Sequence, residues 1–215
     1  LQTIATLYTD FFRNTPLLVQ FMFIHFGLQL GKHIQNIGVD ITSDLFTISS
    51  YLGPLDNLIS PMIDYVNESL FGPGKRSYLS AIFALGLNSA AYQCETIRGA
   101  IAAIPSGQME AGRSIGLTYM GTMRLIILPQ AIRICIPPLG NEMVNLVLNS
   151  SLASVIAYTE LTRQGKLIVA ITFQIFWTWG MVMIAYFVVT WSLALLLRRL
   201  EEKTRIPGLG ISGGN

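Results

Sequence analysis

The sequence is poor in charge, and that absence excludes most of what a soluble chain does at its surface. Only 12% of its 215 residues are Asp, Glu, Lys or Arg, about half the share of an ordinary globular domain. With 52% hydrophobic residues and a mean hydropathy of +0.53, a surface wholly covered by water is hard to build. A bilayer removes that requirement, because positions facing lipid can be apolar all round. A formal net charge of +2 with no long basic run leaves no electrostatic footprint for nucleic acid. The two cysteines, Cys94 and Cys135, stand in or beside apolar stretches. They have neither CxxC nor Cys/His spacing, so no disulfide framework or metal site is expected, and each reads as a small apolar residue. The two histidines, His25 and His33, have no Ser/Asp or Cys partner at a recognisable spacing, so no catalytic constellation is predicted. Gly72-Pro73-Gly74-Lys75-Arg76-Ser77 lacks the glycine spacing of a P-loop and has Arg76 where Ser or Thr must follow the lysine. No basic n-region or small-residue cleavage site opens the chain, and no Met begins it. The expectation is a chain that starts partway into a longer product.

What is present is apolar and segmented. A first block, about 16–28, opens at Thr15-Pro16, a helix start because proline suits the first turn. Alone it is short for a span of ~20 residues. His25 within it reads either as a packing histidine or as a functional one. Residues 30–76 differ: they carry Asp40, Asp44, Asp56, Asp64 and Glu68 and several Gly and Pro. Leu52, Leu55, Leu58, Ile59, Ile63 and Val66 imply one or two short amphipathic helices, so the segment is expected to be a partly ordered external loop. Asn67-Glu68-Ser69 fits a glycosylation sequon and is read as chance. A second span is expected at about 78–98 and a third apolar block at 126–158, broken by Pro129, Pro137 and Pro138. A last span, at about 167–197, is followed by a charged tail containing Arg198, Arg199, Glu201, Glu202, Lys203 and Arg205. That makes about four spans in an all-α membrane protein. Placing the tail in the cytoplasm puts Arg13, Arg98, Arg113 and Arg124 there too, which agrees with the lysine and arginine bias of cytoplasmic loops. The 30–76 segment is then external.

One loop carries a longer pattern. Glu110-Ala111-Gly112, three residues, Gly116, nine residues, Ile126, one residue, Leu128-Pro129 resembles the EAA signature of ABC importer permeases: Glu-Ala-Ala, three residues, Gly, nine residues, Ile, one residue, Leu-Pro. Gly112 is the one departure, standing where the family usually has alanine. Two short helices along the membrane surface need a turn between them that tolerates positive φ, and Gly116 supplies it. Glu110 is expected near the first helix start, where the helix dipole favours it. Ile115, Leu117 and Met120 offer apolar contact, and Pro129 is expected to mark where the membrane helix resumes.

Flanking residues narrow the resemblance. Arg13-Asn14-Thr15-Pro16-Leu17-Leu18-Val19-Gln20, Asn88-Ser89-Ala90-Ala91-Tyr92 with Glu95 and Arg98-Gly99-Ala100-Ile101, and Pro137-Pro138-Leu139-Gly140-Asn141-Glu142 are similar to permeases of the histidine/glutamine type. The resemblance covers about 8–29 and 77–200. It implies a type I importer fold in a prokaryotic cytoplasmic (inner) membrane, with 1–215 as one permease domain and 102–125 as its cytoplasmic coupling loop. It also implies a second permease subunit (identical or homologous), a cytoplasmic ATPase dimer holding ATP and Mg, and an extracytoplasmic amino-acid-binding protein. No cofactor on this chain is implied. The family has a further transmembrane helix before Arg13, which is expected to be missing from this chain, and a shorter external loop, so that 30–76 reads as an insertion.

Polar residues inside spans are costly and become candidates for the pathway. Asn88, Tyr92 and Glu95 share one helical face, and Asn141, Asn145 and Asn149 another, with Glu142 beside it. An amino-acid zwitterion needs an acceptor for its ammonium and donors for its carboxylate; Glu142 and the asparagine amides offer both. The asparagines fit interhelical hydrogen bonding equally well, Tyr92 fits simple packing, and Glu95 fits a pair with Arg98. Other readings are a permease of the same class for another small solute, an ion-coupled secondary transporter using an intramembrane carboxylate, and a membrane scaffold that transports nothing.

Overall fold

A computed structural model describes residues 2–50, 61–65, 68 and 75–204. The helices expected over 52–66, the sequon, the end at Gly72-Pro73-Gly74 and the tail from Arg205 onward lie largely or wholly outside the described residues. Within them the architecture is helical, with no strand among the described residues. We label the principal helices α1 (Gln2–Asn14), α2 (Leu17–Met22), α3 (Leu30–Ser50), α4 (Arg76–Ala102), α5 (Ser106–Ser114), α6 (Tyr119–Thr122), α7 (Leu128–Asn149), α8 (Leu161–Thr172) and α9 (Ile175–Thr204). A π turn, Phe23–Gly27, extends α2, another, Met123–Ile127, joins α6 to α7, and a 3-10 turn, Ser150–Ile156, follows α7.

Two helices among the described residues are long and apolar enough to cross a membrane: Tyr119–Ile156, 38 residues, and Ile175–Glu202, 28 residues. The sequence reading needs correction in four places. Pro129, Pro137 and Pro138 do not break the third block. Proline's fixed φ is helical, and α7 runs through both Pro137 and Pro138. What each proline removes is a donor, so the carbonyls four residues earlier lose their usual partner. Near Pro129 the ladder widens into the π turn, where Leu128 N donates to Met123 O, and Gln130 Nε2 donates to Ile126 O at 2.9 Å. Pro129 therefore lies inside a continuous helical run rather than at its start.

The last apolar block, by contrast, does break. α8 begins at Leu161, capped by Glu160, whose carboxylate accepts from Thr162 N at 2.7 Å and Arg163 N at 2.6 Å. It stops at Phe173, which takes a left-handed φ of 57°. Thr172 Oγ1 accepts from Gln174 N at 3.3 Å, and Thr178 Oγ1 donates to Gln174 O at 2.7 Å. Hydroxyl groups thus serve the backbone where a glycine would ordinarily mark the stop. Thirdly, residues 30–50, expected as loop, form the helix α3. Finally, Gln2–Asn14 is a helix too, where no element was assigned before Arg13.

The described chain divides into two compact units. One comprises Leu1–Arg13, Ser89–Leu148 and Met183–Asn215, the other Asn14–Asn88 and Asn149–Val182. In the first, Ile104, Ile127 and Ala131 form a buried cluster, with Ile101, Met109, Met123, Ile126 and Ile134 packed around it. In the second, Phe21, Ile24, Ala81, Ala84, Ala153 and Ile156 form the core. Elsewhere large apolar side chains are widely exposed, among them Phe176, Trp177, Met183, Phe187 and Trp191 along α9. Exposure on that scale is the mark of a helix facing lipid rather than water.

Candidate coupling turn and pathway residues

The EAA-like segment folds as a helical hairpin inside the first unit. Pro105 leads into α5 with φ −57° and ψ 136°. The helix ends in a Schellman arrangement: Leu117 N donates to Gly112 O at 3.2 Å and Gly116 N to Arg113 O at 3.1 Å. Gly116 takes φ +89°, as its place in the turn requires. Thr118 then caps α6 by accepting from Gly121 N at 3.1 Å. The hairpin closes on Gly112, which is buried; a Cβ there would lie 2.5 Å from Thr122 Cγ2, 2.9 Å from Thr122 Oγ1 and 3.0 Å from Ile126 Cδ1. The departure from alanine thus has a steric reason: glycine lets α5 close onto Thr122.

The outer side of the turn is apolar and open. Ile115 is 76% exposed and Met120 70%, and Tyr119 and Leu125 are exposed beside them; Leu117 is half-buried and Ala111 exposed. Tyr119 and Leu125 lie within the motif's nine-residue spacer, where the signature names no residue type. Glu110 departs from expectation: it is the fifth residue of α5, exposed, beyond the first turn where the helix dipole acts. It caps nothing there; instead its carbonyl accepts from Ser114 Oγ at 3.0 Å.

The two flanking signatures prove to be partners of one another. In the first unit Arg13 stacks 5.5 Å from the centre of the Tyr92 ring, Tyr92 Oη donates to Arg13 O at 3.4 Å, and Arg13 lies 3.6 Å from Glu95. Arg98 pairs with Glu95 as expected, its Nε 3.1 Å from both carboxylate oxygens. In the second unit Asn88 is buried and donates to Gln20 Oε1 at 3.2 Å, while Gln20 Nε2 donates to Thr15 Oγ1 at 2.7 Å and Thr15 O at 3.1 Å. His25, in the same unit, lies with Nδ1 3.0 Å from Ser80 Oγ, a helix-packing contact. Along α7, Asn141 and Asn145 are exposed and Glu142 half-buried, all in the first unit; Asn149, half-buried, belongs to the second. The residues picked out for the pathway are therefore divided between the units, with Tyr92 engaged by Arg13 and Asn88 by Gln20.

The family described as "Binding-protein-dependent transport system inner membrane component" matches residues 1–206. The chain belongs to that family. This permease is 33% identical over 203 residues to the glutamine transport system permease protein GlnP of Escherichia coli K12, covering 94% of this chain and 75% of that one. It is 30% identical over 208 residues to the glutamate/aspartate import permease protein GltJ of the same organism, covering 97% and 74%. It is 38% identical over 159 residues to the arginine transport system permease protein ArgU of Corynebacterium glutamicum, covering 74% and 42%. No solved structure matches it. The permease is a transporter subunit rather than an enzyme, its helical fold fits the type I ABC importer membrane domain, and its partners include an ATPase and a substrate-binding protein.

Proposed function

We propose that this permease carries a polar amino acid through the membrane and that the hairpin over 102–125 is where its ATPase docks. The observation that supports the docking most is the turn itself: a glycine at φ +89° presents Ile115 and Met120 to solvent on a hairpin locked from beneath by Gly112 and Thr122. Exposed apolar groups on a rigid turn fit a groove on a soluble partner. The cargo rests on the named relatives, which serve glutamine, glutamate/aspartate and arginine.

The finer arrangement is part of the same reading. Four spans cross the membrane. α4 is one of them: its 27 residues reach about 40 Å, more than the ~30 Å hydrocarbon core. The hairpin and the C-terminus face the cytoplasm, where Arg98, Arg113, Arg124, Arg198 and Arg199 gather. ATP and Mg are held by the partner ATPase dimer, not by this chain. A second permease subunit, identical or homologous, completes the pathway, and 30–76 meets the binding protein or covers the pathway mouth. Asn141, Glu142 and Asn145, on one stretch of α7, are the groups for the zwitterion, with Asn149, Asn88 and Tyr92 supporting.

The test is uptake by vesicles reconstituted with the ATPase and binding protein. Labelled glutamine, glutamate and arginine should enter only with ATP, and Glu142→Gln should lower arginine uptake most. Uptake that survives ATP depletion would replace this reading with a secondary transporter, and unchanged arginine uptake in Glu142→Gln would remove Glu142 from the pathway.

A further inference from the structure

A cleft in the second unit has no part in the coupling turn or the α7 face. It is an open cleft of about 180 Å³, lined by His25, Phe26, Gln29, Lys32 and Arg76. Three of those five side chains are basic or can become so, and none is a carboxylate. Lys32 and Arg76 stand far apart in sequence; Gly31 brings them together. A Cβ on Gly31 would lie 2.1 Å from Arg76 O and 2.5 Å from Ser80 Oγ, so the start of α3 rests directly on the first turn of α4, at a distance only glycine permits.

Arg76 and His25 are held by neighbours. Arg76 Nε donates to Gln35 Oε1 at 2.9 Å, which fixes one edge of the guanidinium beside the cleft. Ser80, buried, lies 3.0 Å from His25 Nδ1. With the serine hydroxyl donating to Nδ1, the proton of a neutral ring sits on Nε2, which becomes a donor. Phe26, which lines the cleft, belongs to the apolar run Leu17–Gly27, whose end also exposes Met22 and Phe23. An apolar helix end that runs directly into a cleft lined by Lys32 and Arg76 has the polarity profile of a membrane–water boundary.

We propose that this cleft binds the phosphodiester headgroup of an anionic phospholipid, its charge met by Lys32 and Arg76, its oxygens by the His25 N–H, and its acyl chains lying along Phe26 and Phe23. The size suits a headgroup, and the lack of a lining carboxylate among the described residues suits an anion. The lining Phe26 and the exposed apolar helix end that carries it distinguish a lipid from a free phosphate, which would have no use for them.

The experiment is native mass spectrometry of the purified protein in detergent, titrated with dioleoylphosphatidylglycerol or dioleoylphosphatidylcholine. Wild type should retain phosphatidylglycerol preferentially. Lys32→Gln should weaken that binding about fivefold, and adding Arg76→Gln about fivefold more, the effect of removing one basic residue at an anionic surface each time. Phosphatidylcholine binding should not change. Lys32→Arg, which keeps the charge, should bind as wild type does, and size-exclusion profiles of all variants should coincide. Equal phosphatidylglycerol binding by wild type and the double variant would overturn the proposal. So would displacement of the lipid by excess inorganic phosphate, which would make the occupant a free anion.

Discussion

Replacing Gly112 by alanine adds one methyl group to the close approach of α5 to Thr122. The new Cβ would begin 2.5 Å from Thr122 Cγ2 and 3.0 Å from Ile126 Cδ1, where carbon atoms prefer about 3.5–4.0 Å. Thr122 cannot turn away freely: it is fully buried, and its Oγ1 donates to Thr118 O at 3.1 Å. The helices α5 and α6 would have to part by about 1 Å, and overpacking of that kind costs about 1–3 kcal/mol. Alanine returns about 1 kcal/mol through its better helix propensity, so the net loss should be about 0–2 kcal/mol. Thr122→Ser removes the clashing methyl and, alone, should cost about 1 kcal/mol for the buried group it deletes. The two changes together should be less harmful than their sum, with a coupling of about 1 kcal/mol, because the new methyl occupies the space the old one leaves. Thermal unfolding of the four proteins in detergent reads this directly, at about 2–4 °C per kcal/mol for a chain of this size. Strictly additive shifts, or an alanine variant more stable than wild type, would refute the steric account of Gly112.

Gly116 should discriminate among substitutions by backbone rather than by bulk, since nothing lies within 4 Å of its would-be Cβ. Gly116→Asn should lose less stability than Gly116→Val, by about 1 kcal/mol or more, because asparagine visits positive φ and a β-branched residue does not; equal losses in thermal melts would argue against the observed φ. Gln20→Ala removes a buried hydrogen bond from the Asn88 amide and should cost about 1–3 kcal/mol. Amide exchange should then speed up around Thr15 and Asn88, and an unchanged exchange pattern would deny the Gln20–Asn88 link.

What could be read in advance followed from local chemistry. The positive φ of Gly116 was legible because a turn between two short helices demands it, and the Glu95–Arg98 pair because a helix brings residues three apart onto one face. The family, too, was legible in a spacing that runs from Glu110 to Pro129. Long-range consequences were not legible. In the sequence Gly112 is only a departure from the usual alanine, because its meaning depends on Thr122 and Ile126. The link between the signatures at 13–20 and 88–98 became visible only when Arg13 met Tyr92 and Glu95, and Gln20 met Asn88. Helix boundaries failed where the usual punctuation misled. Pro137 and Pro138 looked like breaks yet sit inside α7, and Thr172-Phe173-Gln174 has neither Gly nor Pro yet ends α8, its backbone served by threonine hydroxyls. The charge and glycine content of 30–50 suggested loop, although its residues keep enough helical pattern for the 21-residue α3.

The most direct measurement is retention of the ATPase by the purified permease through size-exclusion chromatography, comparing wild type with Ile115→Asp/Met120→Asp. Both side chains are exposed, so the variant should melt as wild type does. The docking account predicts that wild type carries the ATPase through the column and the variant loses it. A variant that keeps the ATPase at the wild-type ratio would contradict the assignment of the hairpin as the coupling surface.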